Sequence, residues 1–462
     1  METCPVRDAP ASTLWFSRAL LPQGWAGDVR ITVADGLITA VETGVAQSAG
    51  QIDQGAVLPG LSNVHSHAFQ RAMAGLTEER GPSEGDDFWS WRALMYRFLD
   101  RGGPEEIEAI TALAFAEILE GGFTRVGEFH YLHHDPEGGA YADPAEIAVR
   151  VVAAADQTGI GLTLLPVFYA HAGFGGQPPV RGQRRFVNDI DAFARLMEQS
   201  RRAVAGLPDP VVGVAPHSLR AVTPEELAAV IPMAADGPVH IHAAEQTQEV
   251  QDCLDWSGAR PVEWLLDNAS VDHRWCLIHA THLTADETAH FAASGGVAGL
   301  CPVTEANLGD GVFPAVEFLK AGGTFGLGTD SNVLIGVADE LRALEYSQRL
   351  THRGRSMLAL DAPSTAGSLY RRALAGGAQA TGGATGIAVG QSADLVVLET
   401  DDIAYAGRTD DALLDSMVFA GPRRPIRTVW RRGRAVVVDG RHVAREAIET
   451  RYRRALGVVL GE

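Results

Sequence analysis

Two rhythms of apolar and polar residues divide this chain. Near the start, LWFSRALLP, DVRITVADGLITAVETG and QGAVLPG alternate apolar with polar positions and break at Gly or Asp-Gly. That is the pattern of short strands joined by hairpins. ADLVVLET and TVWRRGRAVVVDGRHV repeat it near the end, with Asp439-Gly440 as a turn. Between these ends run short apolar segments: GLSNVHSH, TRVGEFH, LTLLPVFYA, VVGVAPHS, VHIHAAE, WCLIHATHL, VAGLCP and TFGLGTDS. Amphipathic stretches such as PEEIEAITALAFAEILEGG and DIDAFARLMEQSRRAVAG separate them. Thr223-Pro224-Glu225-Glu226 carries a helix-start signal: a capping residue, Pro at the first turn, then acids. Eight strands alternating with helices predict the α/β class and a (β/α)8 TIM-like barrel. The two strand-rich ends predict a small β-sandwich domain built from both termini. The expected division is 1–57 and 386–462 for the two parts of that domain, and 58–385 for the barrel.

Composition narrows the partners. The chain has 462 residues, with Lys+Arg 38 against Asp+Glu 58, a net charge of −20. Nucleic acid and anionic membrane surfaces require clustered Lys and Arg, so neither is expected as a partner. No apolar run reaches the roughly 20 residues of a membrane span, and METCPVRDAP lacks the basic and apolar regions of a signal peptide. Cys4, Cys253, Cys276 and Cys301 are far apart and show no CxxC spacing. They read as reduced thiols of a cytoplasmic protein. Lys320 is the only lysine, so a Schiff base or P-loop lysine elsewhere is excluded.

The candidate chemistry lies at the strand ends. In a barrel the C-terminal ends of the strands form the active-site face. His65 and His67 end the first strand, and alternate strand residues point the same way, so both rings enter the barrel mouth. His240 and His242 repeat the pattern, with Glu245 three residues on; His279 ends the next strand, and Asp330 ends the last. A lone histidine at a strand end is ordinarily a satisfied structural residue. Four strand ends carrying His or Asp in this order instead predict one divalent metal ion per chain. Zn2+ is the first expectation, with Fe2+ or Mn2+ as alternatives for a His/Asp set.

The ordered set LPGLSNVHSH, HIHAAE, LIHATH and LGTDS resembles the amidohydrolase superfamily over nearly the whole chain. The resemblance implies a barrel with terminal β segments wrapped around it. Lys320 lies in a helical pattern, AVEFLKAGG, the wrong place for the carboxylated lysine of the two-metal branch. The chain therefore resembles the mononuclear branch of deaminases. Carried over residue by residue, the resemblance implies His65, His67, His242 and Asp330 as metal ligands, with Asp330 also a base toward water. It implies Glu245 as proton shuttle and His279 as the group orienting the water.

Finer motifs, NVHSHAFQRAMAGLTE, FWSWRALMY, EFHYLHH and APHSLRAV, are similar to the formimidoylglutamate deiminase family of histidine degradation. That similarity implies a small dicarboxylate substrate, with Gln70, Arg92, Tyr131, His217 and Arg220 contacting its glutamate part, and a homodimer. Arg is the side chain suited to bidentate carboxylate capture. A purine or guanidine-type deaminase of the same branch is the alternative. A non-catalytic metal-binding scaffold is a third reading, though a scaffold has no use for Glu245 and His279. Segment 75–103 is long for a barrel loop and has the length of a lid, with Trp89 and Trp91 expected to pack it over the site.

Overall fold

The computed structural model describes residues 12–78, 88–360, 362–422 and 424–461, without the side chains of 88–90, 93, 94 and 97. Cys4, the start of the chain, the Trp89 side chain and part of the expected lid lie outside the described residues.

The barrel strands are β1 (Leu61–Ser66), β2 (Phe123–His130), β3 (Gly161–Phe168), β4 (Val211–Val212 and Ala215–Pro216), β5 (Val239–Ala243), β6 (Trp275–His279), β7 (Val297–Leu300) and β8 (Thr324–Leu327). All pair in parallel: β5 to β8 in order, β8 to β1, and on through β2 and β3 to β4. Every residue of β2, β3, β5 and β6 is buried. This explains their near-continuous apolar runs, the signature of a sheet covered on both faces.

The expected strand VVGVAPHS is split. At its centre Val214 N–H turns to Pro238 O, and His240 N–H donates to Val214 O, so this middle portion pairs with β5 rather than β3. Two bridges, Val214 to Val239 and Ser218 to His242, close the ring. Helices fill the crossovers as expected, including Pro104–Glu120, Ile190–Val204 and Pro224–Val230. Thr223 caps the last of these, accepting Glu226 N–H at 3.3 Å.

The chain ends meet in one separate eight-stranded sheet. Its order runs Arg441–His442, Arg434–Val438, Ile426–Arg431, Leu395–Leu398, Ala56–Pro59, Ser12–Leu21, Gly24–Ala34, Leu37–Glu42. All its pairings are antiparallel except that between Ser12–Leu21 and Ala56–Pro59. Leu395 and Val397 face a small core with Phe16, Val29 and Ile31, while Val396 and Leu398 belong to the barrel's main core. The far end holds more helix than its strand-like pattern suggests. Helix Arg445–Leu460 packs Ala455 and Val459 on Ala109 and Ile110 of helix Pro104–Glu120, and Arg445 bridges Glu117 and Glu120 at 2.9 and 3.0 Å. Among the described residues no helix is long and apolar enough to cross a membrane.

Candidate active site

Hydrogen bonds between the ends of β1 and β8 set the geometry. Asn63 Oδ1 accepts the N–H groups of His65 (3.2 Å) and Thr329 (3.1 Å), and His65 O accepts those of Thr329 and Asp330. Asn332 Nδ2 donates to the carbonyls of His67 and Asp330 at 3.2 and 3.0 Å. Asp330 itself adopts the left-handed region, φ 46°, a strained placement for a residue with a Cβ and one concentrated at functional sites.

These constraints bring His65, His67, His242 and Asp330 together. His65 Nε2 lies 3.1 Å from His242 Nε2, and Asp330 Oδ1 lies 3.4 Å from the Nε2 atoms of both His65 and His67. His67 Nδ1 donates to Phe129 O, and His242 Nδ1 to His217 O, each at 3.0 Å. Burial, reinforced by the neighbouring histidines, holds His65 and His242 well below the ordinary imidazole pKa, and burial lowers His67 too. With neutral rings and Nδ1 carrying the proton, the Nε2 atoms of His67 and His242 are lone-pair acceptors. At least three acceptors, counting the Asp330 carboxylate, therefore face one another in a buried cluster. A cation removes that conflict. Metal–ligand bonds of 2.0–2.2 Å in a tetrahedron put donors about 3.3 Å apart, close to the spacing here. His240, by contrast, turns away and meets Ala380 O at 2.8 Å.

Glu245 and His279 stand beside this cluster. His279 Nε2 lies 3.8 Å from Glu245 Oε1 and 3.7 Å from Asp330 Oδ2. Burial pushes the Glu245 carboxyl up, to about 7, against the pull of His279 and Arg220. Burial opposes the charge on His279, but Glu245, then Glu305 and Asp330, outweigh it and raise the ring to about 10.

A cleft opens over the cluster, lined by His67, His242, Glu245, His279 and Asp330. Gln70, Arg92, Tyr131, His217 and Arg220 line the same cleft, so all the expected site residues meet there except His65, which is buried beneath it. Gln70 Nε2 donates to Tyr131 Oη at 2.9 Å. Arg92 comes from helix Phe88–Leu99, its guanidinium 5.7 Å from the Tyr96 ring centre. Trp91 also lines the cleft. The sequence reading missed Met95, Tyr96, Tyr169, Phe186 and Leu308 in the lining, and Glu305 behind His279. Helix 88–99 carried an aromatic signal that pointed to Met95 and Tyr96; the others had none.

A match to the amidohydrolase family spans residues 56–436, and residues 13–55 match the N-terminal domain of formimidoylglutamate deiminase HutF. The chain belongs to the amidohydrolase family. Within it, the chain is 51% identical to a formimidoylglutamate deiminase of Pseudomonas aeruginosa, over 98% of this chain and 99% of that protein. It is 30% identical to a 5-methylthioadenosine/S-adenosylhomocysteine deaminase of Natronomonas pharaonis, over 75% of this chain and 73% of the other. Among solved structures, an amidohydrolase from Brucella melitensis superposes with a TM-score of 0.94 at 54% identity, covering 97% of this chain and 99% of that one. The mixed terminal sheet and the parallel barrel are thus this family's architecture, and the family's chemistry is metal-dependent hydrolysis.

Proposed function

We infer that this chain hydrolyses N-formimidoyl-L-glutamate to N-formyl-L-glutamate and ammonia, the deimination step of histidine degradation. The observation that carries this is the 51% identity to the Pseudomonas aeruginosa formimidoylglutamate deiminase over 98% of the chain. The cleft supports it, because two arginines share one space with a cluster of proton-transfer groups.

His65, His67, His242 and Asp330 would hold the ion, one per chain; three imidazoles and a carboxylate suit Zn2+. A divalent ion supplies acidity, lowering the pKa of water from 15.7 to about 7. Asp330 divides its oxygens: Oδ1 faces the imidazoles and Oδ2 faces His279. His279 orients the attacking water, and Asp330 accepts a proton from it. A C–O bond forms at the amidine carbon as the C=N double bond becomes single. Glu245 delivers a proton to the terminal nitrogen, leaving a tetrahedral carbon that bears OH and NH2. The hydroxyl proton then passes through Glu245 to that NH2, and the C–N bond breaks as ammonia leaves. The formyl C=O remains on the glutamate nitrogen, and the proton held by Asp330 returns to Glu245. A carboxyl raised by burial while His279 and Arg220 favour its charged form can both take and give that proton. Gln70, Arg92, Tyr131, His217 and Arg220 bind the glutamate part. The enzyme works as a cytoplasmic homodimer, and the buried free thiols of Cys253, Cys276 and Cys301 suit a reducing compartment.

Ammonia release is to be compared for N-formimidoyl-L-glutamate, guanine and 5′-methylthioadenosine, and only the first should be turned over well. Preference for a purine would overturn the substrate and leave the metal chemistry standing. A buried carboxylate–Arg contact is worth about 1.5–3 kcal/mol, so Arg92→Met and Arg220→Met should each lower kcat/KM by roughly 10–150-fold. Against an amidine lacking the carboxylates, the same variants should lose little more than wild type has already lost.

A further inference from the structure

Glu305 has no part in the reaction as described, yet it is buried beside the site. It lies in the first turn of helix Pro302–Leu308, directly after β7, with its side chain 7% exposed. Its Oε1 accepts Cys301 N–H at 2.8 Å and meets His279 Nδ1 at 3.3 Å. We propose that Glu305 is the positioning residue for His279: it takes the Nδ1–H of the ring and so fixes Nε2 as the atom that faces Glu245 and Asp330.

Three carboxylates surround His279, and their distances separate their roles. Glu245 and Asp330 both lie on the Nε2 side, at 3.8 and 3.7 Å, beyond hydrogen-bond length. Glu305 alone of the three is within hydrogen-bond distance, and it lies on the opposite edge of the ring. A ring whose Nδ1–H is taken by a fixed acceptor is held in one orientation, with Nε2 presented on the opposite edge. His279 and Ala280 both occupy the left-handed region, at φ 65° and 47°, so the ring leaves β6 from a strained turn and does not stand squarely on the strand. Glu305 is rigid enough to serve, because Cys301 N–H holds the same oxygen.

His279, Cys301 and Glu305 also have donor atoms within 4.8 Å of one another, the spacing of a thiophilic metal site. The hydrogen bonds argue against that use. Oε1 already receives two N–H groups, and burial drives the Cys301 thiol well up, away from thiolate. A simpler role for Glu305 is to satisfy Cys301 N–H at the helix start. That role predicts a change in stability with no specific effect on His279.

The inference rests on the proposed reaction, and holoenzyme variants test both separately. Glu305→Gln keeps volume and an acceptor for Cys301 but removes the charge. Partners that orient a functional histidine are typically worth about 10–100-fold in activity. Glu305→Gln should therefore lower kcat by that factor, with KM within about twofold and metal content unchanged. In a His279→Asn background the same change should cost little, because coupled residues are non-additive. Without substrate, proton NMR of the wild-type holoenzyme should show a downfield, exchange-protected ring N–H signal. It should vanish in His279→Asn and move upfield in Glu305→Gln. Unchanged kcat, an equal loss in the His279→Asn background, or an unmoved resonance would overturn the proposal. If wild type releases no ammonia from N-formimidoyl-L-glutamate, the substrate assignment falls while the NMR comparison still decides the role of Glu305.

Discussion

Glu245 must do two opposed things, hold a proton and release it, and its surroundings fit both. Burial favours the neutral acid, while His279 and Arg220 favour the carboxylate, and the balance falls at about 7. Removing the titration without removing the shape isolates this property. Glu245→Gln should leave bound metal unchanged, since Glu245 is outside the ligand cluster, and should lower turnover by roughly 10²–10⁴-fold. Near-wild-type turnover would assign proton delivery to another group. At this scale the sequence was most legible where a residue's direction follows from strand period. His65, His67 and His242 alternate along β1 and β5, and Glu245, His279 and Asp330 follow strand ends, so their convergence could be read before any coordinates. Glu305 could not. It reaches His279 from the helix after the neighbouring strand, across a contact that depends on how β6 and β7 are staggered. Met95 comes from the excursion after β1, and Tyr169 and Phe186 from opposite ends of the excursion after β3, and no periodicity links them. The Asn63–Thr329–Asn332 network was equally hidden, because those are residues common in any polar loop.

The elements themselves followed apolar rhythm closely, and departures have local causes. VVGVAPHS reads as one strand, but Gly213 sits so close to Pro238 O that a Cβ would be 2.4 Å away. That approach lets the mid-strand turn its hydrogen bonds toward β5. Helix Arg445–Leu460 was missed because its buried side is narrow, carried by Ile448, Ala455 and Val459, and because strand-like runs precede it. Helix Thr365–Thr381 shows how element packing reaches the site. At Gly376 a Cβ would fall 1.9 Å from Phe325 O, a backbone atom of β8. The helix can lie on β8 only because that position has no side chain. Gly376→Ala gains about 1 kcal/mol of helix propensity, but forcing helix and strand apart costs about 1–3 kcal/mol or more. Phe325 is five residues before Asp330, so displacement of β8 is passed to a proposed ligand. We expect Gly376→Ala to lower the melting temperature and to lose metal on dialysis faster than wild type. A melting temperature at or above wild type would show that the helix yields without disturbing the strand.

At the scale of the whole molecule, the barrel is closed by hydrogen bonds at every seam, yet its upper rim gathers groups that repel. His65 lies in β1 with His67 just after it, His242 lies in β5, and Asp330 follows the end of β8, so the cluster ties one wall of the ring to the opposite wall. The surrounding chain carries a net charge of −20. A deeply acidic protein attracts cations over long range, but retention depends on this buried set of imidazole and carboxylate acceptors. An ion held by the folded barrel and not by the unfolded chain adds stability by mass action, about 4 kcal/mol when free ion is at 1,000 times its dissociation constant. Removing it also leaves buried lone pairs opposed. Chelation should therefore lower the melting temperature and abolish activity together, and both should return with one equivalent of divalent ion per chain. His67→Ala or His242→Ala should begin near the chelated state, so chelation should shift their melting temperature little. Elemental analysis finding two tightly held ions per chain would contradict the single site. A melting temperature indifferent to chelation would mean that the strand ends, with the Asn63 and Asn332 hydrogen bonds, hold the rim by themselves.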